Sequence, residues 1–104
     1  MLLVSVDFVA GKKISKTLGV VRGNTIRARH MGHDIVAGLQ QITGGELSGY
    51  TKMITESRDE ATKRMVDEAK KLGADAVIGI RYASSDVMAG AAEILAYGTA
   101  VKLE

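Results

Sequence analysis

The chain has 104 residues, 46% of them hydrophobic and 25% charged, with 14 basic and 12 acidic side chains and a net charge of +2. That length suits a single domain over residues 1–104, and the near-balance of interleaved charges gives no basic surface for nucleic acid. The lack of cysteine excludes disulfides and thiolate metal sites; no apolar run is long enough for a membrane span, and the N-terminus has no signal-peptide pattern, so the cytoplasm is the expected compartment.

Aromatic residues are only 4% and tryptophan is absent. The core must therefore be built from Val, Ile, Leu, Met and Ala. A small core of that kind gives limited stability by itself, and burial between copies would offset the shortfall.

In chain order, Leu2, Val4, Val6 and Phe8 alternate with Leu3, Ser5 and Asp7, which predicts a first strand. Ala10–Lys12 reads as a turn. Ile14, Lys16, Leu18 and Val20 alternate with Ser15, Thr17 and Gly19, a second strand that continues past Val21. Gly23–Asn24 reads as a turn or a bulge. Ile35, Val36, Leu39 and Ile42 then predict a short amphipathic helix, capped near Gly32–Asp34 and stopped at Gly44–Gly45.

A longer helix follows. Tyr50, Ile54, Ser57, Ala61, Met65, Ala69 and Leu72 recur every three or four residues, one face of an α-helix. The opposite face carries Asp59 before Lys63, Glu60 before Arg64 and Asp67 before Lys71. This is the favourable order for pairs four apart, each giving roughly 0.2–0.5 kcal/mol. Gly73 supplies the left-handed residue that ends a helix, and Lys70 and Lys71 suit the negative end of its dipole.

Ala76–Tyr82 predicts a strand with Ala76, Ile78, Ile80 and Tyr82 on the face toward the helix, and Val77, Gly79 and Arg81 on the other. Gly79 permits a close approach by another segment. Ser84–Asp86 and Gly90 read as a loop. In the last strand, Glu93–Leu103, the larger Leu95, Tyr97, Thr99, Val101 and Leu103 share one face and the small Ala96, Gly98 and Ala100 the other. The order β-β-α-α-β-β predicts an α+β domain, an antiparallel or mixed sheet with the long helix packed on one face. The small residues around Gly79 and Gly98 are expected on the sheet side away from the helix, as a smooth contact between subunits.

Several segments together resemble the YbjQ-like family, whose members are described as heavy-metal-binding. They are Gly19–Val21, Gly23, Arg27–Arg29 through Asp34, Gly44–Gly45, Ser48–Tyr50, the helix with Arg58, Asp59 and Ala61, Leu72–Ile80 and Tyr97–Val101. The resemblance covers nearly the whole chain. It implies a dodecin-like subunit that closes into a ring-shaped homopentamer, and it implies no established activity, so an enzyme is not expected. Asn24 stands here where family members often carry Glu after the glycine.

His30, His33 and Asp34 are the one constellation with metal-ligand character. Two imidazoles three apart and a carboxylate supply an N,N,O set for a divalent transition metal. The plainer reading is a solvated helix start with its caps. Arg22, Arg27 and Arg29, extended by Lys12, Lys13 and Lys16, form a stretch free of acids that a ring would repeat as an anion-binding rim. Gly44–Gly49 precedes a helix but lacks the Lys-Ser/Thr of a phosphate loop. Ser84, Ser85 and Thr99 have no evident base. The functional expectation is a homo-oligomeric protein that binds a metal ion or a small ligand or anion, with no nucleic acid, membrane or catalytic role. The alternative is a structural or interaction module with no small ligand.

Overall fold

Ser57, Ala61, Met65 and Ala69 are buried along one side of helix α1, which spans Ser48–Lys71. The computed structural model describes residues 1–28, 48–88 and 91–104. The shorter helix expected around Ile35–Ile42 lies outside the described residues. The strands are β1 (Leu2–Leu3), β2 (Ile14–Ala28), β3 (Ala76–Met88) and β4 (Ala91–Leu103). They form one four-stranded mixed sheet in the order β1-β3-β4-β2. β2 and β3 both run antiparallel to β4, and β1 runs parallel to β3. The fold is α+β, with one helix among the described residues packed on one face of the sheet.

The helix ends as its sequence dictates. Gly73 has φ 76°, and the Gly73 and Ala74 N–H groups donate back to the carbonyls of Lys70 and Ala69 at 3.0 and 3.1 Å. Those two bonds make a Schellman cap. Leu72 falls beyond the last helical turn and is exposed, so the apolar stripe stops at Ala69.

The core joins Ala61, Met65 and Ala69 of α1 to Val21 of β2, Val77 and Ile80 of β3, and Ile94, Ala96 and Ala100 of β4. Burying a side chain the size of Val or Met is worth about 1.5–3 kcal/mol. The expected arrangement of small residues is corrected here. Ala96, Gly98 and Ala100 face the helix, not away from it, and the larger Leu95, Tyr97 and Thr99 are on the open side. A β-carbon on Gly98 would sit 2.7 Å from Val77 Cγ1 and 2.9 Å from the Ile78 carbonyl oxygen. Small residues let the neighbouring strand's side chains and the helix close over the sheet.

Gly23–Asn24 is neither turn nor bulge but lies within β2. The irregularities in that strand occur earlier, between Ile14 and Lys16 and between Thr17 and Gly19. In β3 the alternation breaks at Gly79, whose φ is 61°. The register slips there, from Ile78 opposite Thr99 to Arg81 opposite Tyr97. An extra residue in one strand reverses which side chains face the core. Val77 before the bulge and Ile80 after it therefore both face α1, which corrects the expectation for Ala76 and Ile78 and upholds that for Ile80 and Tyr82. Ser84–Asp86 also proves to be strand, since β3 continues to Met88.

The first strand is shorter than its alternation predicts. Only Leu2 and Leu3 form a ladder, with Ala76 and Val77. The segment then follows β3 through Val4 N–H to Val77 O, Ile80 N–H to Val4 O and Gly79 N–H to Val6 O, at 2.8–3.1 Å. The bulge at Gly79 is what the N-terminal segment approaches.

Candidate functional site

His30, His33, Asp34 and Arg29 lie outside the described residues. Among the described residues no group of three His, Cys, Asp or Glu side chains could hold a metal ion. The basic stretch is divided by the pleat of β2. Val21, Gly23 and Thr25 face α1, so Arg27 lies on the helix side and Arg22 on the open side. Lys16 sits opposite Lys102 near the other end of the strand. Arg22 and Arg27 of the expected rim are therefore on opposite faces of β2.

Two clefts gather polar groups that sequence reasoning did not single out together. The first, about 550 Å³, opens between the N-terminal segment and β3 and is lined by Leu3, Val4, Ser5, Ile80, Arg81 and Tyr82. Its arginine is held in place: Arg81 Nη1 donates to the Ser5 carbonyl at 2.8 Å and to the Ile80 carbonyl at 2.9 Å. Arg81 has no carboxylate partner among the described residues, where the one ion pair is Arg64 with Glu60 at 3.4 Å. On the helix side of β3, Tyr82 Oη lies 2.9 Å from Thr62 Oγ1. Thr62 spends its proton on the Arg58 carbonyl at 2.8 Å, so Tyr82 is the donor in that pair. The signal for this site was the Gly79–Tyr82 run, but its partners Ser5 and Thr62 are brought in by tertiary contact alone.

The second cleft, about 320 Å³, is lined by Ile54, Ser84, Ser85, Asp86, Ala92 and Ile94. It offers two hydroxyls and a carboxylate beside an apolar wall. No imidazole stands beside these hydroxyls among the described residues, as both histidines of the chain are at positions 30 and 33. On the open face of the sheet, Asn24 Nδ2 donates to Glu93 Oε2 at 3.1 Å.

No helix among the described residues is long and apolar enough to cross a membrane.

Comparison with known proteins adds a family and a fold. A family model described as "Putative heavy-metal-binding" matches residues 1–104. A UPF0145 protein of Methanosarcina acetivorans is 57% identical over 103 residues, covering 99% of this chain and 97% of its own. A UPF0145 protein of Thermotoga maritima is 56% identical over 104 residues, covering 100% of this chain and 98% of its own. A crystal structure of a protein of unknown function from Pediococcus pentosaceus, assigned to the DUF74 family, superposes with a TM-score of 0.72 at 20% identity. It covers 100% of this chain and 98% of that one. At that identity the likeness speaks for the fold.

Proposed function

Because this chain belongs to the YbjQ-like family along its whole length, we propose that it works as a homo-oligomeric, non-catalytic binding protein whose assembly presents a site for a metal ion or a small ligand. Its setting in this reading is the cytoplasm. The observation that carries the oligomeric part is the shape and surface of the subunit. Its radius of gyration is 16.9 Å, against about 13 Å for a compact domain of this length. Large apolar side chains stand open on its strands, among them Val20 at 62% and Ile26 at 59% exposure. Both belong to the sheet face that α1 does not cover. An extended subunit with uncovered apolar strands is stabilised by burial against further copies. The family resemblance points to five copies closed in a ring.

The metal part is supported by the description of the family and by the only imidazoles of the chain, His30 and His33, with Asp34 beside them. Two nitrogens and one oxygen leave a coordination position for water or for a neighbouring copy. Such a site would take a borderline divalent metal such as zinc, nickel or copper.

Native mass spectrometry of protein purified without chelator tests both parts. An assembled mass carrying extra bound mass supports the reading. A clean assembled mass favours a structural module with no small ligand. A monomer at micromolar concentration overturns the oligomeric part.

A further inference from the structure

Among the described residues the far half of β3 has little to cover it. Helix α1 lies over β2 and β4 and barely reaches β3. Every residue from Arg81 to Met88 is exposed, with Val87 at 45% and Met88 at 69%. One edge of this stretch is hydrogen-bonded to β4. The other edge is open among the described residues. β1 pairs with Ala76 and Val77, and the backbone bonds from the N-terminal segment end at Ile80. Among the described residues nothing pairs with the outer edge beyond that point. On the far side of the sheet β2 is also an edge strand among the described residues, where it pairs only with β4. A long, uncovered edge with apolar side chains is a template for another strand.

We infer that the outer edge of β3 from Tyr82 to Met88 docks along the outer edge of β2 in a second copy of this chain, with Asp86 of one copy beside Arg27 of the next. This rests on the homo-oligomeric reading and names the edges and the ion pair that carry it. The registers supply the argument. Ile26, Glu93 and Ser85 lie in one row across β2, β4 and β3. Arg27, Ala92 and Asp86 form the next row, and Ala28, Ala91 and Met88 the one after. The two open edges therefore stand at the same level of the sheet. Continuing the sheet by one copy without slip sets β2 of the neighbour about 4.8 Å from β3. Arg27 then stands beside Asp86.

Both side chains are on the same face, since Arg27 follows the helix-side parity of Val21, Gly23 and Thr25, and Asp86 pairs with Ala92, which shares parity with Ile94 and Ala96. Both are exposed, and neither has an ion-pair partner among the described residues. Opposite charges directly across neighbouring strands favour pairing. Arg64 Nη1 already donates to the Asn24 carbonyl at 2.6 Å, which occupies that point of the β2 edge and centres the contact on Thr25 to Ala28.

The two surfaces are different, so the contact is heterologous, the type that closes into a ring or extends as a filament. β2 and β3 are both antiparallel to β4, so a neighbour carried round an axis along the strands presents β2 parallel to β3. A second copy is the occupant that the geometry favours, because level and charge match between two edges of the same chain.

The test is a charge exchange. Arg27→Asp, Asp86→Arg and the variant carrying both changes are compared with wild type by sedimentation velocity at micromolar concentration. Circular dichroism and urea melts check that each subunit remains folded. Each single change should weaken assembly at least tenfold, and the double change should restore it. Those amides of Ser84–Val87 that point away from β4 should also exchange slowly with deuterium in assembled wild type and quickly in the single variants. Wild type that assembles while both single variants assemble equally well overturns the inference and leaves the oligomeric reading standing. Failure of the double change to restore assembly, or fast exchange of the outward amides of Ser84–Val87 in assembled wild type, overturns it in the same way. Monomeric wild type removes both.

Discussion

Gly23 of β2 lies directly beneath Ala61 of α1, so close that a β-carbon at position 23 would overlap the Ala61 carbonyl oxygen and the Met65 backbone nitrogen and come within 2.8 Å of Arg64 Cβ. The obstacles are mostly helix backbone, which cannot swing aside as a side chain can. Glycine within a strand ordinarily weakens it, and alanine would be the better residue. Here the order is reversed. Gly23→Ala should destabilise the protein by about 3 kcal/mol, the upper part of the range for overpacking. Urea melts would measure it; a loss below about 0.5 kcal/mol would show that the helix can lift away without cost.

The buried stripe gives a sharper test of the helix face. Ala61 is fully buried in the core. Ala61→Asp forces an unpaired carboxylate into that core and should cost about 3 kcal/mol or more. Lys63→Asp changes the exposed face of the same helix and should stay within about 1 kcal/mol of wild type. Equal losses in urea would mean that the faces are assigned wrongly.

How much of this was legible beforehand varies with the physics. The stripe Ser57, Ala61, Met65, Ala69 was readable because helical spacing and burial point to the same residues. The two faces of β4 were readable too, but which of them meets the helix was not. Size suggested that Leu95 and Tyr97 would face inward. Close approach of α1 to the sheet instead demanded Ala96, Gly98 and Ala100, and close approach is a property of the pair, invisible in either element alone. The bulge at Gly79 likewise defeats alternation, because a positive φ and one extra residue exchange the faces of everything after it. Arg81 and Tyr82 were readable as strand. Their partners, Ser5 and Thr62, were not, since they are 76 and 20 positions away in the chain.

Ser57 is a flaw in the core that can be measured. Its Oγ is buried and has no hydrogen-bond partner among the described residues, while its carbonyl accepts from Thr25 Oγ1 at 3.2 Å. An unsatisfied buried hydroxyl costs about 1–3 kcal/mol. Ser57→Ala removes that cost, keeps the Thr25 bond to the backbone and improves helix propensity. The variant should be about 1 kcal/mol more stable than wild type. A loss of stability in thermal or urea melts would reveal a partner for the hydroxyl.

Metal binding through His30, His33 and Asp34 makes the last prediction. These are the only imidazoles of the chain, three residues apart, with a carboxylate next to the second. Rings at that spacing would share one side of a helical turn where the segment has begun its helix. Zinc, nickel and copper titrated calorimetrically into wild type should show saturable binding tighter than millimolar, the level worth only about 4 kcal/mol. The double variant His30→Ala, His33→Ala should lose it. The pH dependence has a fixed sign. An imidazole ligates only when neutral, and its ordinary pKa is about 6.5. Affinity should therefore be highest above neutrality and weaken as pH falls through about 6, with protons released on binding. Binding that survives in the double variant, or that is unchanged between pH 7.5 and 5.5, would place the metal on other groups and remove the histidines from the site.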